Sequence, residues 1–166
     1  MTAAADGEAA FPRTAVASAF ARQLVADYVE HRLNRQGLPV PPEIGARRPA
    51  EGDAQRNSRL RLALRDLGDE FERRYSEVFA EMCSPLDLTG PDAESTFRAI
   101  VDHLFEGTVN WGRIVGLFAF CGRLAAFCVG KDTPSVVDQF VNWSALYIDN
   151  NLSRWIEKNG GWVSTA

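Results

Sequence analysis

Histidine, cysteine and lysine are scarce in this chain, and each scarcity removes a class of function. The 166 residues hold two histidines, His31 and His103, and neither sits in a nucleophile, metal or acid–base motif. The three cysteines have no metal-binding spacing, and no glycine-rich phosphate loop occurs. Enzyme chemistry is not expected, nor is a bound metal or cofactor. Cys83 has no activating neighbour and reads as inert. Cys121 and Cys128 lie seven residues apart in a helical stretch. That is roughly 10 Å along a helix axis, whereas a disulfide needs Cα atoms within about 7 Å. Buried free thiols are the expectation. Of the 18 cationic residues only Lys131 and Lys158 are lysine. Arginine suits bidentate carboxylate pairing and partly buried ion pairs, which points toward protein interfaces, with compositional bias of the genome as the alternative. A net charge of −4 gives no electrostatic reason to expect a nucleic-acid partner. Neither a basic region nor an apolar core opens the chain, so no secretory signal is read there. The sequons at Asn142 and Asn151 are then chance matches.

Strand alternation is also wanting; what the chain has is helical periodicity. Residues 14–36 read as a first helix, with an imperfect stripe of Val16, Phe20, Leu24, Tyr28 and Leu33 and a stop at Gly37. Residues 37–57 hold four of the eight prolines and read as a mobile loop. A long helix is predicted over about 58–83, with a break near its end and Pro85 after it. Gly90-Pro91-Asp92 predicts another, running to about 105 with proline in its first turn. Residues 110–129 form a helix that is apolar on nearly every face. Such a helix is either a central core element or a membrane span. Arg113 and Arg123 lie in it, and a central arginine is costly in lipid, so the core reading is taken. Thr133-Pro134 has the pattern of a cap followed by a first-turn proline. Its helix reaches about 150, and a short one holding Trp155 and Ile156 ends at Gly160-Gly161. The fold class is all-α and the chain one domain, with residues 58–166 as its helical core.

Three constellations stand out. Leu60, Leu64, Leu67 and Phe71 fall at i, i+4, i+7 and i+11, with Gly68-Asp69 inside the stripe. Glycine in a helix interior usually has a packing reason, and the acid beside it would meet a cation on the approaching element. Phe71, Tyr75, Val78, Phe79 and Met82 make a second stripe, in residue types that suit an adaptable hydrophobic groove or, equally, a core. The third is Asn110-Trp111-Gly112-Arg113. Trp111 reads as a packing anchor and Gly112 as a place for close backbone approach. Arg113 occupies a first turn, where the helix dipole disfavours a cation, so its charge asks for a carboxylate.

These segments resemble the Bcl-2 family of apoptosis regulators over nearly the whole chain. Val109-Asn110-Trp111-Gly112-Arg113-Ile114-Val115, followed by Phe118 and Phe120, is similar to the first homology region of that family. Trp155-Ile156-Glu157-Lys158-Asn159-Gly160-Gly161-Trp162 is similar to the second. Residues 60–75 resemble the third, and 16–37, with Leu24-Val25-Ala26-Asp27-Tyr28, the fourth. The resemblance implies a bundle of about eight helices around the apolar helix 110–129. It implies a surface groove that takes an amphipathic death-signal helix from a pro-apoptotic relative. By position, Arg113 would pair with an aspartate of that helix, beside Asn110 and Gly112. Phe71, Tyr75, Val78, Phe79, Met82, Ile100, Leu104, Val115, Gly116 and Phe120 would line the groove. The stripe Leu60, Leu64, Leu67, Gly68, Asp69 and Phe71 would correspond to the chain's own death-signal-like segment. Gly68-Asp69-Glu70-Phe71-Glu72-Arg73-Arg74-Tyr75 and the fourth region look like the pro-survival branch, with a pore-forming effector of the mitochondrial outer membrane as the alternative. The implied location is the cytoplasmic face of that membrane, the endoplasmic reticulum or the cytosol. Two departures are visible. Pro-survival relatives carry Arg-Asp-Gly where this chain has Glu106-Gly107-Thr108, and the family's apolar membrane-anchoring tail is not found before Ala166.

Overall fold

The computed structural model describes residues 16–45 and 57–162. Every regular element among them is helical: α1 Ala19–Arg35, α2 Pro42–Gly45, α3 Ser58–Arg74, α4 Ser76–Cys83, α5 Ala93–Leu104, α6 Trp111–Gly130, α7 Ser135–Tyr147, a π-helical turn Ile148–Leu152, and α8 Ser153–Lys158. The expected bundle around a central apolar helix is what forms. Most of the proposed mobile loop lies outside the described residues. Its described part contains the single turn α2, which buries Ile44.

Helix α6 is the axis of the molecule. From Ile114 to Leu124 its apolar side chains are all buried, and α1, α3, α4, α5 and α7 pack around it. Its 20 residues are long and apolar enough to cross a membrane by length and composition, but most of that stretch is enclosed by the other helices. Two glycines let neighbours come close. A Cβ on Gly122 would stand 2.7 Å from the Tyr28 ring, and one on Gly116 2.9 Å from Phe71.

Local chemistry sets the boundaries. Ser18 caps α1, its hydroxyl accepting from the Ala21 amide. Gly37, at φ +74°, closes the other end: its N–H donates to the Asn34 carbonyl and the Leu38 N–H donates to the Leu33 carbonyl. Asn110 caps α6 through its side chain to the Arg113 amide at 2.8 Å. Two expected starts need correction. Pro91 and Pro134 lie just before their helices, which begin at Ala93 and Ser135. Thr133 does not cap α7. Its N–H and its hydroxyl both donate back to the Cys128 carbonyl, 2.8 and 3.1 Å away. Asp132, at φ 61°, makes that reversal, so Thr133 closes α6 instead of opening α7. The long helix predicted over 58–83 is two helices, parted at Tyr75. Cys83, Cys121 and Cys128 are free and buried.

Candidate helix-binding groove

Helices α3 and α4 form one wall of a surface trough, α5 the other, and α6 its floor. Along α3 the residues at 67, 70, 71, 74 and 75 share one face by helical spacing. Leu67, Glu70, Phe71, Arg74 and Tyr75 meet Trp111, Gly112 and Val115 of α6 around a wide cavity of about 480 Å³. A narrower cavity of about 200 Å³ continues from it, lined by Phe71, Tyr75, Val78, Phe79, Met82, Ile100, Val101, Leu104 and Phe120. Phe71 and Tyr75 border both. Phe79 and Phe120 are buried beneath it, whereas Tyr75 and Val78 stand exposed at its lip, at 43% and 51%. The rings form a run: Phe71 against Tyr75 at 4.7 Å, Phe71 on Phe79 at 5.9 Å, Phe79 against Phe120 at 6.0 Å. Gly116 lies below this surface, where its missing side chain makes room for the Phe71 ring.

The stripe from Leu60 to Phe71 divides between two surroundings. Leu60 and Leu64 are core, while Leu67 is 43% exposed and lines the wide cavity. Gly68 sits against Tyr28, where a Cβ would stand 2.5 Å from the ring. Asp69 accepts from the Tyr28 hydroxyl at 3.0 Å and meets His31 Nε2 at 2.8 Å. Burial and this carboxylate together hold the Tyr28 phenol far above its ordinary range.

Arg113 is itself on the lining of neither cavity, although its neighbours are. Gly112 beside it lines the wide one, and Arg113 Nη1 donates to main-chain carbonyls of Leu104 at 3.3 Å, Glu106 at 2.7 Å and Thr108 at 3.4 Å. These carbonyls lie at and just beyond the C-terminal end of α5, the end of a helix that favours a cation. No carboxylate pairs with Arg113 among the described residues. Glu106, which shares the adjoining turn, is exposed and meets His103 Nδ1 at 3.0 Å. Trp111 also belongs to an aromatic cluster, 5.2 Å from Trp155 and 5.9 Å from Trp162. The segments at 109–115 and 155–162 therefore pack on each other.

Sequence reasoning did not find Glu70, Arg74 or Val101 as lining residues, and it treated Trp111 as structural alone. For the first two a signal existed, since both lie on the same helical face as Leu67 and Phe71. It also missed Glu72, buried on the far side of α3. Glu72 accepts from Arg32 at 2.7 and 2.9 Å and from Arg35 at 3.0 Å, with Arg123 at 3.5 Å. No group of three or more metal-ligating side chains is assembled among the described residues.

An apolar trough on an all-helical bundle, with an arginine beside it, defines a class of helix-bundle proteins with a hydrophobic surface groove. A family model described as apoptosis regulator proteins, Bcl-2 family, matches residues 64–162. Apoptosis regulator Bcl-2 of Gallus gallus is 40% identical over 132 residues, 80% of this chain and 55% of that protein. Bcl-2-like protein 1 of Gallus gallus is 44% identical over 107 residues, covering 64% and 47%. Apoptosis regulator R1 of Xenopus laevis is 37% identical over 141 residues, covering 85% and 58%. The chain spans about half the length of the curated relatives it matches. It belongs to the Bcl-2 family.

Proposed function

We propose that the chain restrains apoptosis by sequestering pro-apoptotic relatives, taking their amphipathic death-signal helix into the groove of α3, α4, α5 and α6. The observation that carries this reading is the continuous apolar trough, one cavity of which is lined by Gly112 and the other by Leu104, whose carbonyl accepts from Arg113. An amphipathic helix presents anchors at i, i+3, i+4 and i+7 along one face. Leu67, Phe71, Val115 and the narrow cavity beyond them offer successive apolar sites for such anchors. An aspartate on the incoming helix pairs with Arg113, while Asn110 holds the first turn of α6 and Gly112 leaves room for the incoming backbone. Supporting the reading are the family membership and relatives named as apoptosis regulators. We propose the cytoplasmic face of the mitochondrial outer membrane, the endoplasmic reticulum or the cytosol as its location.

Calorimetric titration against a panel of death-signal peptides tests this directly. Peptide binding is expected, and Arg113→Ala weakens it by roughly 2–5 kcal/mol, the range for removing one partner of a desolvated charge pair. Unchanged affinity in a folded Arg113→Ala protein removes Arg113 as the anchor.

A further inference from the structure

We infer that the turn at Glu106-Gly107-Thr108 is a positioning device for Arg113, and that Gly107 sets the strength of the contact between this arginine and an acidic partner helix. The inference rests on the groove reading above and concerns how that site is tuned.

Among the described residues, every hydrogen bond that Arg113 donates from its side chain leaves from one nitrogen. Nη1 meets the carbonyls of Leu104, Glu106 and Thr108, at 3.3, 2.7 and 3.4 Å. Nε and Nη2 have no partner among the described residues. A guanidinium offers five N–H groups in a planar fork, and two parallel donors on one edge match a carboxylate. The Nε–Nη2 edge is such a pair. The molecule thus holds the arginine by one corner with its own main chain and leaves a bidentate edge for an incoming acid. Three neutral carbonyls fix the side chain without neutralising its charge, so part of its ordering is complete before a partner arrives.

Bringing carbonyls 104, 106 and 108 to one point requires the chain to reverse within two residues, and Gly107 does this at φ +91°. An L side chain rarely adopts that conformation. The position is exposed, and a Cβ there would meet no atom within 4 Å. Replacing Gly107 therefore strains the backbone without any clash or loss of core. Its effect is confined to the carbonyls that flank it, and through them to Arg113.

The test is a cycle on the intact chain with two synthetic amphipathic helices that differ only in having aspartate or alanine at the position facing Arg113. The unmodified protein is expected to prefer the aspartate peptide. In Gly107→Ala, affinity for the aspartate peptide falls about ten-fold, the scale of one charge-assisted bond, and affinity for the alanine peptide stays the same. Gly107→Asn keeps most of the preference, because asparagine enters the left-handed region more readily than alanine. An equal fall for both peptides, or no fall for either, overturns the positioning role while leaving the groove reading intact. If the unmodified protein binds neither peptide, the groove reading itself fails, and this inference with it.

Discussion

Single residues in this fold are most sharply constrained where a helix surface has no room for a methyl group. Gly68 faces Tyr28, whose ring is buried and whose hydroxyl is tied to Asp69. The ring cannot turn aside, so Gly68→Ala overpacks the α1–α3 contact. A loss of about 2 kcal/mol is expected, read as a lower midpoint in thermal unfolding. Gly116 poses the same steric problem with a different outcome, because its neighbour Phe71 is only half-buried and has the groove to move into. Gly116→Ala should therefore weaken peptide binding more than it lowers stability. The thiols make a prediction about pH. Burial pushes Cys83 and Cys121 from an ordinary 9.0 up to about 12. The unfolded chain then loses these protons first as pH rises. Stability from the two groups is complete below about pH 9 and is lost between there and about pH 12. Denaturant midpoints measured across that range should decline, and native-state labelling at pH 8 should leave both thiols unmodified.

At the scale of elements, α1 and α3 are joined by an ionic seam as well as by packing. Asp27 meets Arg61 at 3.1 Å and Arg65 at 2.7 Å, Asp69 meets His31, and Glu72 meets Arg32 and Arg35. Glu72 also reaches Arg123 on α6, so one buried carboxylate ties three helices. Glu72→Gln leaves Arg32 buried without a counter-charge and is expected to cost about 3 kcal/mol, or roughly 10 °C in midpoint for a chain of this size. Asp66→Asn, on the exposed face of the same helix, should leave the midpoint within about 1 °C. The seam shows where sequence reading stops. The helices themselves were legible, because stripes such as 60, 64 and 71 and stops such as Gly37 are local signals. The carboxylate beside Gly68 was legible for the same reason. Glu72 was not: it sits in a run of charged residues, and its partners lie about 40 positions away on α1 and about 50 away on α6. Nothing local distinguishes an acid facing inward from its neighbours facing water. A break in the helix over 58–83 was legible but its position at Tyr75 was not, and the π-helical turn at Ile148–Leu152 escaped notice, since neither is marked by proline or glycine. The carbonyls that hold Arg113 were invisible for a further reason, because main-chain acceptors leave no trace in side-chain identity.

For the whole molecule, the central question is whether α6 stays enclosed. Exposing it to lipid means stripping α1, α3, α4, α5 and α7 from its surface and taking Arg123 out of its pair with Glu72. The proposed function accordingly predicts that the protein alone releases no dye from liposomes and that it suppresses release by a pore-forming relative. Release by this protein, with an activator peptide added, would point to the effector reading instead.

If helices pass between relatives as the proposed function has it, the same buried carboxylate gives that traffic a direction. Helix α3 carries apolar residues at the spacing of a ligand, so it is in principle a key as well as part of a lock. To be offered to another groove it would have to uncover Leu60 and Leu64 and leave the Glu72 charges unmatched. The groove, whose lip residues Tyr75 and Val78 are already exposed, asks for no such sacrifice. On the proposed function, in a mixture of relatives that exchange helices this molecule would be a sink, with helices flowing into it and its own withheld.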